Sequence, residues 1–563
     1  MNRLSVLIVF LTAVVTVSAQ SVGDNNRIII TTGFTPSIKD ARKINEQPHF
    51  ADTIYTPPKF NYSIINTRVS TPFSVRPIGA AKMSGEKLDK VYKSYVMAGM
   101  GNYATPVFEF LYSMGRSRDQ RGGVQIKHMS SAGKIDDYIY PGFSDNLARG
   151  YYTKLWKKNR FNADVSYLRN VRHYYGVNVL EDTLLIKNGD ITDEANKQVF
   201  NTADISLGFT RYKTKRKEAF YDYKLRYYYL IDYYGSRENG VNYNGINDWN
   251  VDFVNSFKKQ RIGFTSKVDF FNNSDSLHIA NSYIIGLKPF YRFEFNKLSA
   301  QVGLNTNIYK DSVSEIGFFP ELKLRLDVID DVLNFVLDFY GGARKTNFKE
   351  LTTENPFVNS IVPLQMSVNK FSTYFGMQSS ISRFINLELG MRYEKWENAP
   401  FFITDTTVTL HNKFTVVYDD YDMVEISAGV SYHLNKKWNV AAKGNYYVYN
   451  TMNLLSAWHK PAYDLKLIGD YNLADKILVH ARLIYNGPTD APEYVENGTA
   501  PGKIITTTEI KGWFDASLGF EYRYRKRLGI FLNLNNIAAT RYYRWYNYPS
   551  YGFNVIGGVS YIF

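Results

Sequence analysis

The chain has no cysteine, which excludes disulfides, thiolate metal sites and a lipid-attachment cysteine. Beyond its first residues, no stretch approaches the about 20 apolar residues that a spanning helix needs. Its eight histidines are scattered, with no H-x-x-x-H pair and no clustered carboxylates at metal spacing. No G-x-S-x-G nucleophile elbow is present. Gly99-Met100-Gly101-Asn102-Tyr103-Ala104 fits a dinucleotide fingerprint in letters only. Thr105-Pro106 follows it instead of a helix, so it reads as a glycine-containing hairpin turn. No cofactor and no nucleic-acid partner is expected, and the chain is expected not to be an enzyme. A catalytic constellation assembled across separate strands is the remaining enzymatic reading.

What is abundant is aromatic. There are 46 Tyr and 37 Phe, aromatics make up 16% of the chain, and the mean hydropathy is still −0.31. A polar average with heavy aromatic use and no apolar helix suits a membrane barrel, whose strands alternate lipid-facing and lumen-facing side chains. The chain starts Met1-Asn2-Arg3, runs apolar from Leu4 to Val17 and reaches Val17-Ser18-Ala19 before Gln20. That is the form of a secretory signal peptide over residues 1–19, with a retained anchor helix as the alternative. The formal net charge of +14 (67 basic minus 53 acidic) becomes +13 once Arg3 leaves with the signal.

Period-2 alternation recurs from Val91 to the last residue. Tyr221, Tyr223, Leu225, Tyr227, Tyr229, Ile231 and Tyr233 share one face, opposite Asp222, Lys224, Arg226 and Asp232. Leu322, Leu324, Leu326 and Val328 alternate with Lys323, Arg325 and Asp327. In lipid every backbone polar group must be paired, so such strands must close on themselves. Very short connections alternate with long polar ones. The short set comprises 157–160, 214–217, 258–261, 296–297, 330–331, 383–384, 435–437 and 525–527, much of it basic and read as solvated turns. The long set comprises 171–199, 234–247, 344–363, 450–460, 487–509 and 536–550. With 413–433 as one long strand, the count is about 22. The expected fold is therefore all-β: a transmembrane antiparallel barrel over 91–563, with short periplasmic turns and long extracellular loops.

The final alternation, Phe553, Val555, Gly557, Val559, Tyr561 and Phe563, ends the chain on an aromatic. It resembles the C-terminal signal of outer-membrane barrels, which implies that Tyr561 and Phe563 are read by the barrel assembly machinery. The text before it, Leu528 to Ile537 with Asn533-Leu534-Asn535-Asn536, then Tyr542-Tyr543-Arg544-Trp545 and Tyr548-Pro549, resembles the closing hairpin of TonB-dependent receptors in the form found in Bacteroidota. The resemblance covers the 473 residues from Val91 onward. It implies an outer-membrane, multi-pass location after signal removal near Ala19. It departs from the family at the front: the 71 residues of 20–90 are too few and too proline-rich for the family's plug. Arg27-Ile28-Ile29-Ile30-Thr31 is the nearest approach to a TonB box. Asp40 to Ile44 and Gly85 to Lys90 resemble the leading text of plug-less barrels of this kind.

A 22-stranded lumen needs a filling. The expected occupant is segment 20–90, periplasmic or folded inward, with inward-folded loops or a second protein as alternatives. Lys323, Arg325, Glu388, Arg392, Arg482, Glu521 and Arg523 are expected to line the lumen. Loop 487–509 and the aromatic loop 541–551, with Tyr543, Trp545 and Tyr548, are expected to be extracellular contact surfaces. Asp-Ser/Thr-aliphatic triplets at Asp52, Asp182, Asp275 and Asp311 resemble an O-glycosylation sequon of Bacteroidota. Expected partners are outer-membrane lipids, the assembly machinery, and a surface lipoprotein or other outer-membrane complex subunits. The functional expectation is a transport-related barrel closed by its N-terminal segment or a partner. The alternative is a plug-less structural subunit of an outer-membrane assembly or secretion complex.

Overall fold

The computed structural model describes residues 91–563 apart from 180–191, 193, 212–217, 276–278, 312, 436, 497–502 and 525–526. The readings placed on 1–19, on 20–90, on the turn at 214–217, on 436 and 525–526 of the turns at 435–437 and 525–527, on the triplets at Asp52 and Asp182, and on Ser276 and Ser312 of the other two triplets lie outside the described residues.

The strands follow one another along the chain. The first group is β1 (Ser94–Gly101), β2 (Thr105–Ser113), β3 (Gln120–Ser131), β4 (Phe143–Trp156), β5 (Asn159–His173), β6 (Lys197–Arg211) and β7 (Phe220–Ile231). Next come β8 (Arg237–Asn250), β9 (Lys258–Ser274), β10 (Ile279–Phe295), β11 (Leu298–Lys310), β12 (Ser314–Ile329) and β13 (Leu333–Lys345). A short helix, α1 (Phe348–Glu354), precedes β14 (Met366–Ser382), β15 (Ile385–Thr404), β16 (Phe414–Leu434), β17 (Trp438–Thr451), β18 (Tyr463–Leu473) and β19 (Ile477–Asn486). The last group is β20 (Thr489–Glu496), β21 (Lys503–Ile510), β22 (Trp513–Tyr524), β23 (Leu528–Asn535), β24 (Tyr543–Trp545), β25 (Tyr548–Pro549) and β26 (Asn554–Ile562).

Each barrel strand pairs antiparallel with its neighbours, β19 passes to β22 and β23 to β26, and β1 pairs with β26 to close a 22-stranded sheet. Closure leaves no free edge, which is what a strand-built membrane span requires. The expected strand number and the single long strand at 413–433 are both present, the latter as β16. Two small hairpins, β20–β21 and β24–β25, stand outside the barrel sheet.

Three expected boundaries are corrected. The loop placed at 234–247 is mostly β8, and the connection is only 232–236. Its Asn- and Gly-rich text reads as loop, yet Val241 and Tyr243 keep the outward alternation while asparagines line the inner face, where Asn242 Nδ2 donates to Asp269 at 2.9 Å. The turn placed at Lys258–Arg261 is the start of β9, and the connection before it is 251–257. Loop 487–509 is not irregular throughout, since it carries β20 and β21. The Gly99 motif ends β1, and the chain reverses at Asn102–Ala104, with Tyr103 (φ 58°) and Ala104 (φ 45°) in the left-handed region.

The outer face is apolar and bare: Ile285 and Leu287 on β10, Val302, Leu304 and Ile308 on β11, and Phe514, Phe520, Tyr522 and Tyr524 on β22 are exposed. A belt of this extent is incompatible with water and matches the lipid-facing band of a membrane barrel. Strand lengths differ around the wall. β15 and β16 have 20 and 21 residues, whereas β1, β23 and β26 have 8, 8 and 9. Since about 9–11 residues cross the hydrocarbon, the long strands rise well past it on the side of the long loops.

Candidate functional site

The long-loop end holds the largest apolar core of the described residues. Phe200 and Leu230 from the rims of β6 and β7 share it with Phe402, Phe414 and Val416 from β15 and β16. Those strand pairs lie on well-separated parts of the wall, so the core bridges the mouth. Connecting loops supply Tyr174, Phe348, Leu351, Phe357, Val358, Trp545 and Tyr548. Phe357 stacks on Tyr548 with centroids 3.8 Å apart, and Trp545 meets Phe402 edge-on at 5.1 Å. Fully burying each such side chain contributes about 1.5–3 kcal/mol.

Hydrogen bonds tie the same loops together. Tyr548 Oη donates to the Asn412 carbonyl. Asn412 Nδ2 donates to the Tyr174 carbonyl at 2.6 Å and to Asn196 Oδ1 at 2.9 Å. Tyr174 Oη donates to the Val358 carbonyl at 2.9 Å and accepts from Gln198 Nε2 at 3.1 Å. Gln198 Nε2 also reaches Asp232 Oδ2 at 3.1 Å and Ser360 Oγ at 3.0 Å. Tyr175 Oη donates to the Pro549 carbonyl at 2.8 Å. Residues 174–179 and 194–196, together with the loops at 232–236, 346–365, 405–413 and 536–553, thus form one lid.

A buried carboxylate anchors the helix of that lid. Glu238 is fully buried and accepts from Phe348 N at 2.6 Å, Lys349 N at 3.2 Å, Tyr228 Oη at 2.7 Å and Asn273 Nδ2 at 2.6 Å. The first-turn amides of α1 have no intrahelical partner, so a carboxylate fixed on β8 satisfies them and favours the positive end of the helix. Lys349 then pairs with Asp204 at 2.8 Å, although burial pulls its ammonium below the ordinary lysine range. Burial also lowers Lys413, whose ammonium lies over the rings of Tyr174 at 4.6 Å and Tyr234 at 4.4 Å. Burial raises Asp232 and pushes His459 down to about 3, so this imidazole is neutral against Phe414 and Trp545.

The charged residues expected on the lumen lie on the strand faces opposite the belt, and they pair locally. Lys323 is 3.4 Å from Glu321, and Arg325 is 3.3 Å from Asp327. Glu388 accepts from Tyr374 Oη at 3.4 Å. Arg392 lies 3.7 Å from both Glu394 and Glu425, with its guanidinium over the Tyr374 ring. Arg523 donates to Glu521 at 2.8 Å. Arg482 on β19 lies across from Ser517 on β22, which bonds Asp515. These residues are distributed around the wall and do not converge on one pocket. At the short-turn end a cavity of about 840 Å³ opens between Asn250, Asp252, Arg261, Arg292 and Glu294.

Of the expected contact aromatics, Tyr543 is exposed, while Trp545 and Tyr548 are buried in the lid and are corrected to core residues. Their aromatic neighbours in sequence signalled contact, but the partners are other loops of the same chain. Tyr561 and Phe563 stack on each other at 5.9 Å on the outer face, both exposed. Sequence reasoning missed Gln198, Asn412 and Glu238. Each is a polar residue bordering a loop, and only the fold reveals that its partners come from elsewhere. Among the described residues no group of three His, Cys, Asp or Glu side chains is placed to hold a metal.

No protein-family model matches the chain and no curated protein matches it. Solved structures do. The FrpB iron transporter from Neisseria meningitidis aligns over 84% of this chain and 82% of its own, with 11% identity and a TM-score of 0.63. The ferripyoverdine receptor of the outer membrane of Pseudomonas aeruginosa aligns over 85% and 72%, with 13% identity and a TM-score of 0.59. The ferric-catecholate import receptor Fiu from E. coli aligns over 84% and 82%, with 11% identity and a TM-score of 0.59. At these identities the likeness is one of fold: the chain shares the 22-stranded barrel of these proteins.

Proposed function

We propose that the chain is a transport-related outer-membrane barrel akin to TonB-dependent receptors, whose lumen is gated at the extracellular end by its own loops. The carrying observation is the lid: three loops share one aromatic core across the mouth and two more are hydrogen-bonded to them through Asp232 and Asn412, above a wall of charged pairs. The fold likeness to outer-membrane importers supports the location and the transport class. In this reading the long-loop end is extracellular, and Lys323, Arg325, Glu388, Arg392, Arg482, Glu521 and Arg523 line the solute path. Tyr561 and Phe563 engage the barrel assembly machinery, after removal of residues 1–19. The Bacteroidota origin and the absence of a family-type plug in 20–90 belong to the same proposal.

Planar-bilayer recording tests it. The intact protein is expected to be nearly silent, and a Tyr548→Ala, Asn412→Ala double variant to give stepwise conductance. A rise seen instead on removing 20–90 would assign closure to that segment. Silence in all three would count against a pore.

A second reading, a structural subunit of an outer-membrane complex, is favoured by one observation. Met452 and Leu455, on the loop between β17 and β18, are 75% and 68% exposed on the lid side. Bare apolar side chains there suit a protein neighbour such as a surface lipoprotein. Gentle purification from the native membrane separates the readings. Stoichiometric assembly or secretion partners support the subunit, and a lone barrel, or one with only a lipoprotein, supports the transporter.

A further inference from the structure

The connection between β8 and β9 differs from the tight turns at its end of the barrel. Residues 251–257 fold back over the outside of the wall. The pairing along β10 holds one register with β11 from Tyr283 opposite Lys310 to Phe295 opposite Leu298, so Tyr291, Phe293 and Phe295 face outward like exposed Ile285 and Leu287. Ile262 opposes Tyr291 on that same outer face, and Gln260 is the next outward residue of β9. Gln260 and Ala300, both on the outer face, are nevertheless only 3% and 4% exposed. What covers this patch is the loop: Phe257 stacks on Phe293 at 4.3 Å and meets Phe295 at 5.7 Å, and Phe253 lies 6.1 Å from Tyr291.

A glutamine on a lipid-facing wall is costly unless every polar atom is paired. Here Gln260 Oε1 accepts from Phe253 N and Val254 N at 3.0 Å each and from Tyr291 Oη at 2.6 Å. Its Nε2 donates to the Val254 carbonyl at 2.7 Å and the Phe257 carbonyl at 3.1 Å. The loop therefore turns backbone polar groups inward onto one side chain and leaves Phe253 67% and Val254 39% exposed on its outside. In water this arrangement would waste two apolar side chains. In an interface it is what a segment lying in lipid must do.

We propose that residues 251–257 form a membrane-interface hook: Phe253 and Val254 sit in the headgroup–acyl boundary of the leaflet at the short-turn end, with Gln260 as the staple that makes the loop backbone compatible with lipid. The occupant is the lipid surface because the hook continues the apolar belt through Ile262, Tyr291, Phe293 and Phe295. The inference requires only that the belt face lipid, and it stands or falls independently of transport.

The natural lack of cysteine makes single-site labelling clean. Phe253→Cys in the full chain is spin-labelled and reconstituted into vesicles of phosphatidylethanolamine and phosphatidylglycerol. A label at Asp331→Cys, on the turn between β12 and β13, is the aqueous reference. Collision with oxygen is compared with collision with a water-soluble nickel chelate present on both sides. The label at 253 is expected to lose nickel collisions relative to 331 while keeping those with oxygen. Adding Gln260→Ala is expected to return it toward the aqueous value, in protein whose heat-modifiable gel migration shows a folded barrel. Equal nickel access at 253 and 331 overturns the hook. Protection from both reagents also overturns it, because that marks cover by protein. Should Gln260→Ala fail to fold, the comparison of 253 with 331 decides alone.

Discussion

Three loops at one end of the barrel share a single core to which two more are hydrogen-bonded, whereas the charged side chains down the wall pair two by two with near neighbours in the sheet. The lid is built from contacts between residues far apart in the chain, such as Tyr174 with Val358 and Tyr548 with Asn412. The wall is built from pairs such as Arg523 with Glu521 and Arg325 with Asp327, two residues apart on one strand. Buried, mutually dependent contacts are lost together, while partly exposed ion pairs are lost singly and contribute about 0–1 kcal/mol each. The difference locates cooperativity: an opening event at the lid moves five loops, and a change in the wall alters charge and leaves the fold standing.

The sharpest way to break this contrast is at Glu238. Glu238→Ala leaves two helix amides, a tyrosine hydroxyl and an asparagine amide buried without their acceptor, at about 3–5 kcal/mol by the cost of breaking buried charged contacts. Hydrogen exchange is expected to accelerate throughout α1 and the loops at 174–179 and 405–413, with the barrel strands unchanged. Tyr548→Ala comes next, at about 3 kcal/mol for a lost buried aromatic. Tyr548→Phe should cost about 1 kcal/mol, the value of one hydrogen bond. Limited proteolysis of 536–553 measures both, and equal effects would show that stacking on Phe357 is unimportant.

Acid gives a smaller, graded effect. His459 has its folded value depressed to about 3, below the about 6.5 of an unfolded histidine. Above that value the group contributes no pH dependence. As pH falls below it the unfolded form binds the proton first, so lid stability drops by at most about 1.4 kcal/mol per unit until about pH 3. Buried Asp232 works in the opposite direction, since a carboxylate raised by burial gains from acid. Loop opening, read from exchange at pH 7 and pH 5 after division by the intrinsic amide rate at each pH, should rise toward pH 5 in the natural protein and rise less in His459→Phe. The smallest effect belongs to the wall. Glu521→Gln is expected to shift heat-modifiable migration by less than about 1 kcal/mol equivalent, and to alter ion selectivity if the lumen conducts.

The barrel was legible because alternation is a local signal. Leu322 to Val328 shows its outward face without knowledge of any partner, and short polar pairs such as Asn296-Lys297 and Asp330-Asp331 mark where strands reverse. The β8 segment was misread because an inward face needs no apolar residues, so Asn242 and Asn244 resemble loop text. The lid was illegible for a different reason. Trp545 and Tyr548 look identical in sequence whether they meet water, lipid or Phe357, and what decides is the arrival of loops hundreds of residues away. Gln260 belongs to the same class: a glutamine in the basic stretch 258–261 reads as part of a solvated turn until the loop covering it is seen.

The joint between β1 and β26 has a consequence for how the chain reaches this state. These strands have 8 and 9 residues and meet from Tyr95 opposite Ile562 to Gly101 opposite Ile556, with Gly99, Gly557 and Gly558 packed where any Cβ at Gly558 would lie 2.2 Å from the Ala98 carbonyl oxygen. Before closure they are the two raw margins of the sheet, offering unpaired amides and carbonyls to any passing strand. By placing short strands there, and its 20- and 21-residue strands β15 and β16 deep in the interior of the order, the protein keeps the sticky perimeter of the complete but unclosed sheet small.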